Sequence, residues 1–273
     1  METINCQICN SSKNKEYIKV KDRFNISNDN FIIVKCGCGF VFLNPRPGKS
    51  EIGKFYNSKD YQPHSSSSIF YKIAQNYSFK WKFSLIKNIV TNKSKILDYG
   101  SGNGTFSKYL KSKDFSVDTY EPILNDMVST VGTQKYDLIT LWHSLEHIHN
   151  INDDIQIIKK HLKENGKILI AVPNIDSIDA KIFKHKWVAY DAPRHLYHFN
   201  SKTIKALLFN HNIRIKSKIP VIQDTFFNIL LSLNTSNFFV KMFKFLFLSF
   251  YSFITIKFNN KYSSSNIYIC TIK

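Results

Sequence analysis

From residue 95 onward, short apolar runs alternate with stretches of helical character. KILDYG, VDTYE, YDLITLW and GKILIAVPN read as strands, with FSKYLKSK and IQIIKKHLKEN as helices between them. Such alternation predicts an α/β fold with a parallel sheet and helices on both faces. The helix SKTIKALLFN follows, and IRIKSKIPVI and SNIYICTIK supply the last two strands. Ahead of this region, residues 69–90 read as a helix, with Ile69, Ile73, Tyr77, Trp81 and Leu85 on one face at spacing four. Residues 1–60 differ. They carry short β-type runs, FIIVK and FVFLN, closed by the turn signal NPRPG. YQPHSSSS, residues 61–68, reads as a linker, leaving 69–273 as the main domain.

A length of 273 residues suits one ordinary domain carrying a small appended unit. The five cysteines then explain how the small unit folds. Cys6 and Cys9 form one close pair and Cys36 and Cys38 another, whereas Cys270 sits alone in a terminal strand pattern and reads as a small core residue. In a reducing compartment such pairs read as a metal site. Sixty residues bury little core, and a structural zinc held by four thiolates supplies on the order of 10 kcal/mol of folding free energy. The second pair is C-x-C, where zinc ribbons carry C-x-x-C.

The net charge of +18 changes less. Lys, Asn, Ile, Phe and Tyr are abundant together, as an AT-rich genome would write onto any fold, so the charge points only weakly to a phosphate-rich partner. Arginine is rarer, at Arg23, Arg46, Arg194 and Arg214, and each one therefore says more. No basic run resembles a nucleic-acid tail. The N-terminus lacks the pattern of a secretory signal, and the apolar run Phe245–Ile256 is shorter than a bilayer span, so a cytoplasmic location is expected. The hydrophobic segment of about 225–258 includes FFVKMFKFLFLSFYSFITIKF, with aromatics on every helical face and Lys241 and Lys244 near one end. It is expected to lie partly buried over the core. An interfacial helix in peripheral contact with an anionic membrane or a lipid-linked substrate is the second reading.

Candidate chemistry centres on ILDYGSGNGTF. Gly100, Ser101, Gly102 and Gly104 occupy the first strand-to-helix turn, the usual ligand position in an open α/β sheet. The spacing is G-x-G-x-G rather than the dinucleotide G-x-G-x-x-G, and Asp98 lies just inside it. A carboxylate there would repel a pyrophosphate but suits a cationic ligand such as S-adenosylmethionine (SAM). Glu121 ends the next strand, where a carboxylate can accept from both ribose hydroxyls of a nucleoside.

LDYGSGNG followed by the Glu121 strand resembles a class I SAM-dependent methyltransferase. CQIC…CGCGFVFLNPRP, SLEHI, AVPN and WVAYDAPRHLYHF extend the likeness to bacterial methyltransferases with an N-terminal zinc module, found among sugar and surface-polysaccharide enzymes. The resemblance implies a Rossmann-like core of seven strands behind a small zinc-ribbon-like module. It places Asp98, Gly100, Ser101, Gly102, Gly104 and Glu121 at the cofactor, with Trp142 and His143 beside them. Only fifteen residues separate Glu121 from Asp137, so the third strand and its helix must be abbreviated.

Methyl transfer requires an aligned nucleophile and often removal of its proton. Two histidine-bearing stretches compete for that role. In LWHSLEHIHN, His143, Glu146 and His147 fall at i, i+3 and i+4. This resembles an L-E-H segment that binds a divalent cation in some quinone-type O-methyltransferases, although those carry an acid in place of His143. The preferred reading is that Glu146 and His147 hydrogen-bond neighbouring loops and shape the cofactor pocket.

The second stretch, WVAYDAPRHLYHFN, lies in a lid insertion of about 175–200 and concentrates Tyr190, Asp191, Arg194, His195, Tyr197 and His198. Its histidine resembles, in position, the base of zinc-containing sugar C-methyltransferases. The expectation is His195 as general base and Arg194 as anion clamp or lid anchor, with Tyr190 and His147 in support. The alternative pairs Arg194 with Asp191 and lets His195 cap the following helix. NPRP, residues 44–47, is superficially like the N-P-P-[FY] loop of nucleic-acid amino-methyltransferases. That loop belongs after the fourth strand, where LWHS stands, which argues against base methylation.

The expected protein is thus a SAM-dependent methyltransferase acting on a small molecule, a nucleotide-linked or lipid-linked sugar or a related metabolite, with no nucleic-acid partner. An RNA methyltransferase and a non-catalytic zinc-ribbon adaptor remain as alternatives.

Overall fold

The computed structural model describes residues 1–56, 69–121 and 132–273. The first sheet uses β1 (Asn14–Lys21), β2 (Asn30–Cys36) and β3 (Val41–Leu43), which run antiparallel to one another. Its fourth strand comes from elsewhere. Beside β3 lies β8 (Tyr197–His198), with Val41 opposite His198 and Phe42 opposite Tyr197. The N-terminal unit and the lid therefore share one sheet. Phe40 packs against Phe42, Tyr197 and Phe199 with ring centroids 5.7–5.8 Å apart. A single apolar core runs from Cys6 and Cys36 through these rings to Leu207 and Tyr136. The linker residues 61–68 lie outside the described residues.

The central sheet comprises β4 (Lys95–Tyr99), β5 (Ser116–Tyr120), β6 (Tyr136–Trp142), β7 (Leu162–Pro173), β9 (Ile213–Val221) and β10 (Ser265–Ile272), in the order β5-β4-β6-β7-β10-β9. Neighbours from β5 to β7 run parallel, but β10 is antiparallel to both β7 and β9. The sheet is mixed rather than wholly parallel, because β9 and β10 are consecutive strands that lie side by side like the arms of a hairpin. Six strands are present among the described residues. The segment in which a third strand of the expected seven would fall, 122–131, lies outside them.

Among the described residues the α-helices are α1 (Ile69–Lys87), α2 (Thr105–Lys111), α3 (Ile151–Lys160), α4 (Ile178–Phe183), α5 (Ser201–Asn210), α6 (Ile222–Ser232) and α7 (Phe238–Phe258). The first turns inward only part of the face its spacing suggested, with Trp81 and Leu85 packed against the core. Ile73 and Tyr77 are exposed, and Phe79, Phe83 and Ile86 face the core, with Phe79 and Phe83 against the rings of Phe106, Tyr109 and Phe115. A helix with aromatics on several sides has no unique stripe, and the partner chooses. The C-terminal segment is partly buried, but unevenly: α6 buries Thr225, Ile229 and Ser232, whereas the longer α7 buries only Ser252 and Ile256.

Candidate active site

The turn after β4 is held by its own backbone. Gly100 N–H and Ser101 N–H both donate to the Tyr120 carbonyl, at 2.7 and 3.1 Å, and Gly102 N–H donates to Glu121 Oε2 at 2.8 Å. A Cβ on Gly100, whose φ is +77°, would stand 2.3 Å from Ser144 Cβ. The first glycine is thus demanded by the loop after β6, which Ser144 Oγ–H ties back to the Tyr99 carbonyl at 2.8 Å. Gly102 and Gly104 also have positive φ, yet among the described residues a Cβ on either would meet nothing within 4 Å. They face a cavity of about 230 Å³ lined by Ser101, Asn103, Lys108 and Glu121 among others. An open bare-backbone cradle beside a strand-end carboxylate fits a nucleoside cofactor.

Asp98 lies behind this cradle. It is buried, and its two oxygens accept from Ser107 Oγ–H at 2.6 Å and Thr140 Oγ1–H at 2.9 Å. Burial pushes its carboxyl above the ordinary range against the pull of these hydroxyls. Both oxygens are engaged inside the domain, so Asp98 braces the turn; the expected direct approach to a cationic ligand is not what its geometry offers.

Trp142 ends β6 and His143 follows it, beside a second, smaller cavity shared with Lys82 and Asp224. The Lys82 ammonium stands 4.6 Å over the Trp142 ring, and His143 Nε2 lies 3.0 Å from Asp224 Oδ2. Burial opposes charge on His143, but the carboxylates of Asp224 and Glu146 outweigh it and push the imidazole up to about 10.

Glu146, His147 and His195 meet at the lid. One ligand atom from each lies within 4.8 Å of the others, a donor set able to hold a metal. His195 Nδ1–H donates to the Ala189 carbonyl at 2.8 Å, which leaves the Nε2 lone pair unused. His147 Nδ1 stands 3.0 Å from both the Arg194 carbonyl and the Tyr56 hydroxyl, and the two imidazoles pack edge-on at 4.6 Å. The expectation of loop hydrogen bonds holds for His147. It does not hold for the Glu146 carboxylate, which is fully buried with neither oxygen hydrogen-bonded. Its nearest charge is His143 Nδ1, at 3.4 Å. Burial and the neighbouring His147 hold His195 down at about 4, so it is neutral at neutral pH.

Arg194 plays a different part from the clamp one reading expected. Its guanidinium is fully buried and donates to Asp22, Asp191 and the Phe55 carbonyl while stacking on Phe24. It anchors the lid, and no open face remains for an anion. The pairing with Asp191 is real, but α5 is capped by Asn200 rather than by His195. Tyr190 is buried edge-on against Trp187 and His198, and burial pushes its phenol up. Asp224, Lys82 and Tyr56 carried no sequence signal, since each meets the site from a distant segment.

The four paired cysteines come together as expected. Cys6 and Cys38 sulfurs are 3.5 Å apart, as are those of Cys9 and Cys36, and all four lie within 4.8 Å of one another. Tetrahedral Zn–S bonds of about 2.3 Å space sulfurs by just under 4 Å, so the cluster is compatible with zinc. Cys270 is buried in β10.

A methyltransferase domain profile matches residues 70–218, more than half of the chain. The chain belongs to the methyltransferase domain family. The matched span includes every candidate cofactor and catalytic residue and excludes the four paired cysteines. A search of curated proteins finds no match. Among solved structures, the [4+2]-cyclase SpnF is 11% identical with a TM-score of 0.51, over 84% of this chain and 98% of that one. Coclaurine N-methyltransferase, bound to N-methylheliamine and SAH, is 12% identical over 79% and 80% of the two chains, with a TM-score of 0.47. A SAM-dependent methyltransferase from Archaeoglobus fulgidus is 14% identical over 74% and 99%, at 0.45. These likenesses concern the fold. The methyltransferase fold implies SAM as the cofactor.

Proposed function

We propose that this methyltransferase moves a methyl group from SAM to a hydroxyl or similar acceptor on a small molecule, with His195 Nε2 as the proton acceptor. The single observation carrying this reading is the His195 tautomer set by Ala189, with its Nε2 lone pair beside a buried Glu146 carboxylate that accepts no hydrogen bond among the described residues. When bound, SAM supplies an electrophilic methyl on a positive sulfur. Glu121 and the backbone of Gly102 and Gly104 hold the nucleoside end. His195 takes the acceptor's proton, and the nearby Glu146 carboxylate stabilises the charge this creates through space. The resemblance of CQIC…CGCGFVFLNPRP and WVAYDAPRHLYHF to segments of sugar and surface-polysaccharide enzymes supports a nucleotide-linked or lipid-linked sugar as acceptor. Against an RNA substrate, Arg23, Arg46 and Arg194 are all engaged in intrachain ion pairs.

The test is product identification by mass spectrometry after incubation with labelled SAM and a cell extract, together with calorimetry of SAM binding. His195→Gln should lower turnover by roughly 10²- to 10⁴-fold with SAM affinity unchanged. Full turnover in that variant would move the base elsewhere, and no binding of SAM or its demethylated product would leave only a non-catalytic adaptor.

The Glu146 carboxylate, buried without a hydrogen bond among the described residues and within reach of both imidazoles, favours one second reading. There, Glu146, His147 and His195 hold a divalent cation that polarises the acceptor oxygen. A Mn²⁺ electron paramagnetic resonance signal lost in Glu146→Gln would establish it, and its absence alongside turnover would return the role to the base.

A further inference from the structure

Residues 222–264 form an excursion from the central sheet. The chain leaves after Val221 and returns at Ser265, which pairs with Val221. Between these points α6 and α7 pack together as a helical hairpin. The longer helix buries little of its apolar side chain. Ser252 and Ile256 are its only buried residues, Phe245, Leu248, Ser249 and Thr255 are half-buried beside them, and the Ser249 and Ser252 hydroxyls have no hydrogen-bond partner among the described residues. Its outward faces carry Phe239, Phe243, Phe247, Phe250 and Phe258, which are 81%, 72%, 61%, 68% and 87% exposed. Phe227, Leu230 and Leu231 of α6 extend the same apolar surface.

A helix serving only its own domain would bury more of these rings, because large apolar side chains gain most from leaving water. A continuous aromatic surface of this size needs an apolar partner. By length and composition α7 could cross a membrane. The topology forbids it, since both ends of the excursion are fixed to one point of one sheet and a single crossing would put them on opposite sides of a bilayer.

The charge selects among the remaining partners. Residues 225–273 contain no Asp or Glu and five lysines, at 241, 244, 257, 261 and 273. Pairing this face with a second copy would set Lys244 and Lys257 against like charges. An anionic lipid surface meets both requirements, with rings in the acyl boundary and ammonium groups among headgroup phosphates. We infer that the α6–α7 hairpin seats this protein on anionic membranes, with α7 lying in the plane of the interface.

The inference does not depend on the acceptor chemistry, and binding is measured without SAM or acceptor. The full chain should sediment with phosphatidylglycerol-containing vesicles, much less with pure phosphatidylcholine vesicles, and less as salt rises. Phe243→Ser, Phe247→Ser and Phe250→Ser together should weaken binding by roughly a hundredfold. Lys244→Glu with Lys257→Glu should remove the preference for anionic lipid while leaving the thermal melt in place. Should the aromatic variant fail to fold, hydrogen exchange on the unmutated chain decides, with residues 238–258 protected only when the anionic vesicles are present. No binding to either vesicle, or a dimer that dissociates when these phenylalanines are replaced, would overturn the inference.

Discussion

Arg194 and Asp22 meet at 2.7 Å with both side chains fully buried, although 172 residues separate them in the chain. The pair joins the lid to the N-terminal unit, and it is not alone. Arg23 reaches Asp191 at 2.9 Å, and Arg46 bridges Glu2 and the Tyr197 hydroxyl, which in turn donates to the His149 carbonyl. Three of the four arginines thus hold the lid in the sheet that contains β8. The catalytic candidate His195 is positioned by this clamp.

Removing one partner of a buried pair strands the other. Arg194→Ala should cost about 3–5 kcal/mol, and Arg194→Lys should not restore it, because one ammonium cannot reproduce the fork that serves Asp22 and Asp191 together. Urea unfolding measures this, and an unchanged midpoint would show that the clamp contributes nothing.

The glycine loop yields a graded expectation. Gly102→Ala adds only left-handed strain, about 1–2 kcal/mol, whereas Gly100→Ala adds the same strain and a 2.3 Å collision with Ser144. The Gly100 variant should be clearly less stable, and Ser144→Gly should recover the excess. A double-mutant cycle by thermal denaturation reads the coupling directly, and equal losses at both glycines would refute the assigned contact.

Acid should destabilise the fold through its buried histidines. Burial holds His198 down at about 3 and His195 at about 4. The unfolded chain therefore binds more protons than the folded one from about pH 6.5 down to those values, and stability falls as pH falls across that window, with a slope approaching 1.4 kcal/mol per pH unit for His198. His143 acts in the opposite sense. Its contribution is fully present below about pH 6.5 and is lost as pH rises through about 10. Melting temperatures across pH should fall at both ends, with His198→Leu making the acid limb shallower and Asp224→Asn the alkaline limb.

Zinc removal should reach the active site without touching it. Cys36 ends β2, β2 pairs with β3, and β3 pairs with β8 of the lid. Chelation should release about one zinc per chain and lower the melting temperature and turnover together. Full turnover in metal-free protein would show that the lid stands without the module.

Local patterns carried much of this description. The run YDLITLW coincides with β6, a short continuous run buried on both faces, and SKTIKALLFN coincides with α5, which buries Thr203, Ile204, Leu207 and Leu208 at helical spacing. The glycine turn, its flanking acids and the cysteine pairs were legible for a similar reason, since their chemistry lies in residues a few positions apart. HLKEN, read as helix, instead enters β7, and that boundary was set by the neighbouring strand.

The rest depended on contacts across the chain. The direction of β10, the insertion of β8 beside β3, the burial of Arg194 and the meeting of Glu146 with His195 all pair segments that share no local signal. Rarity marked Arg194 as informative, yet whether a guanidinium meets a ligand or a distant aspartate is decided by what folding brings within 3 Å. The aromatic segment makes the same point from the other side. With phenylalanine on every face, composition determined that α7 must be covered, and only the packing of Ser252 and Ile256 against the domain decided which faces were left to be covered by something else.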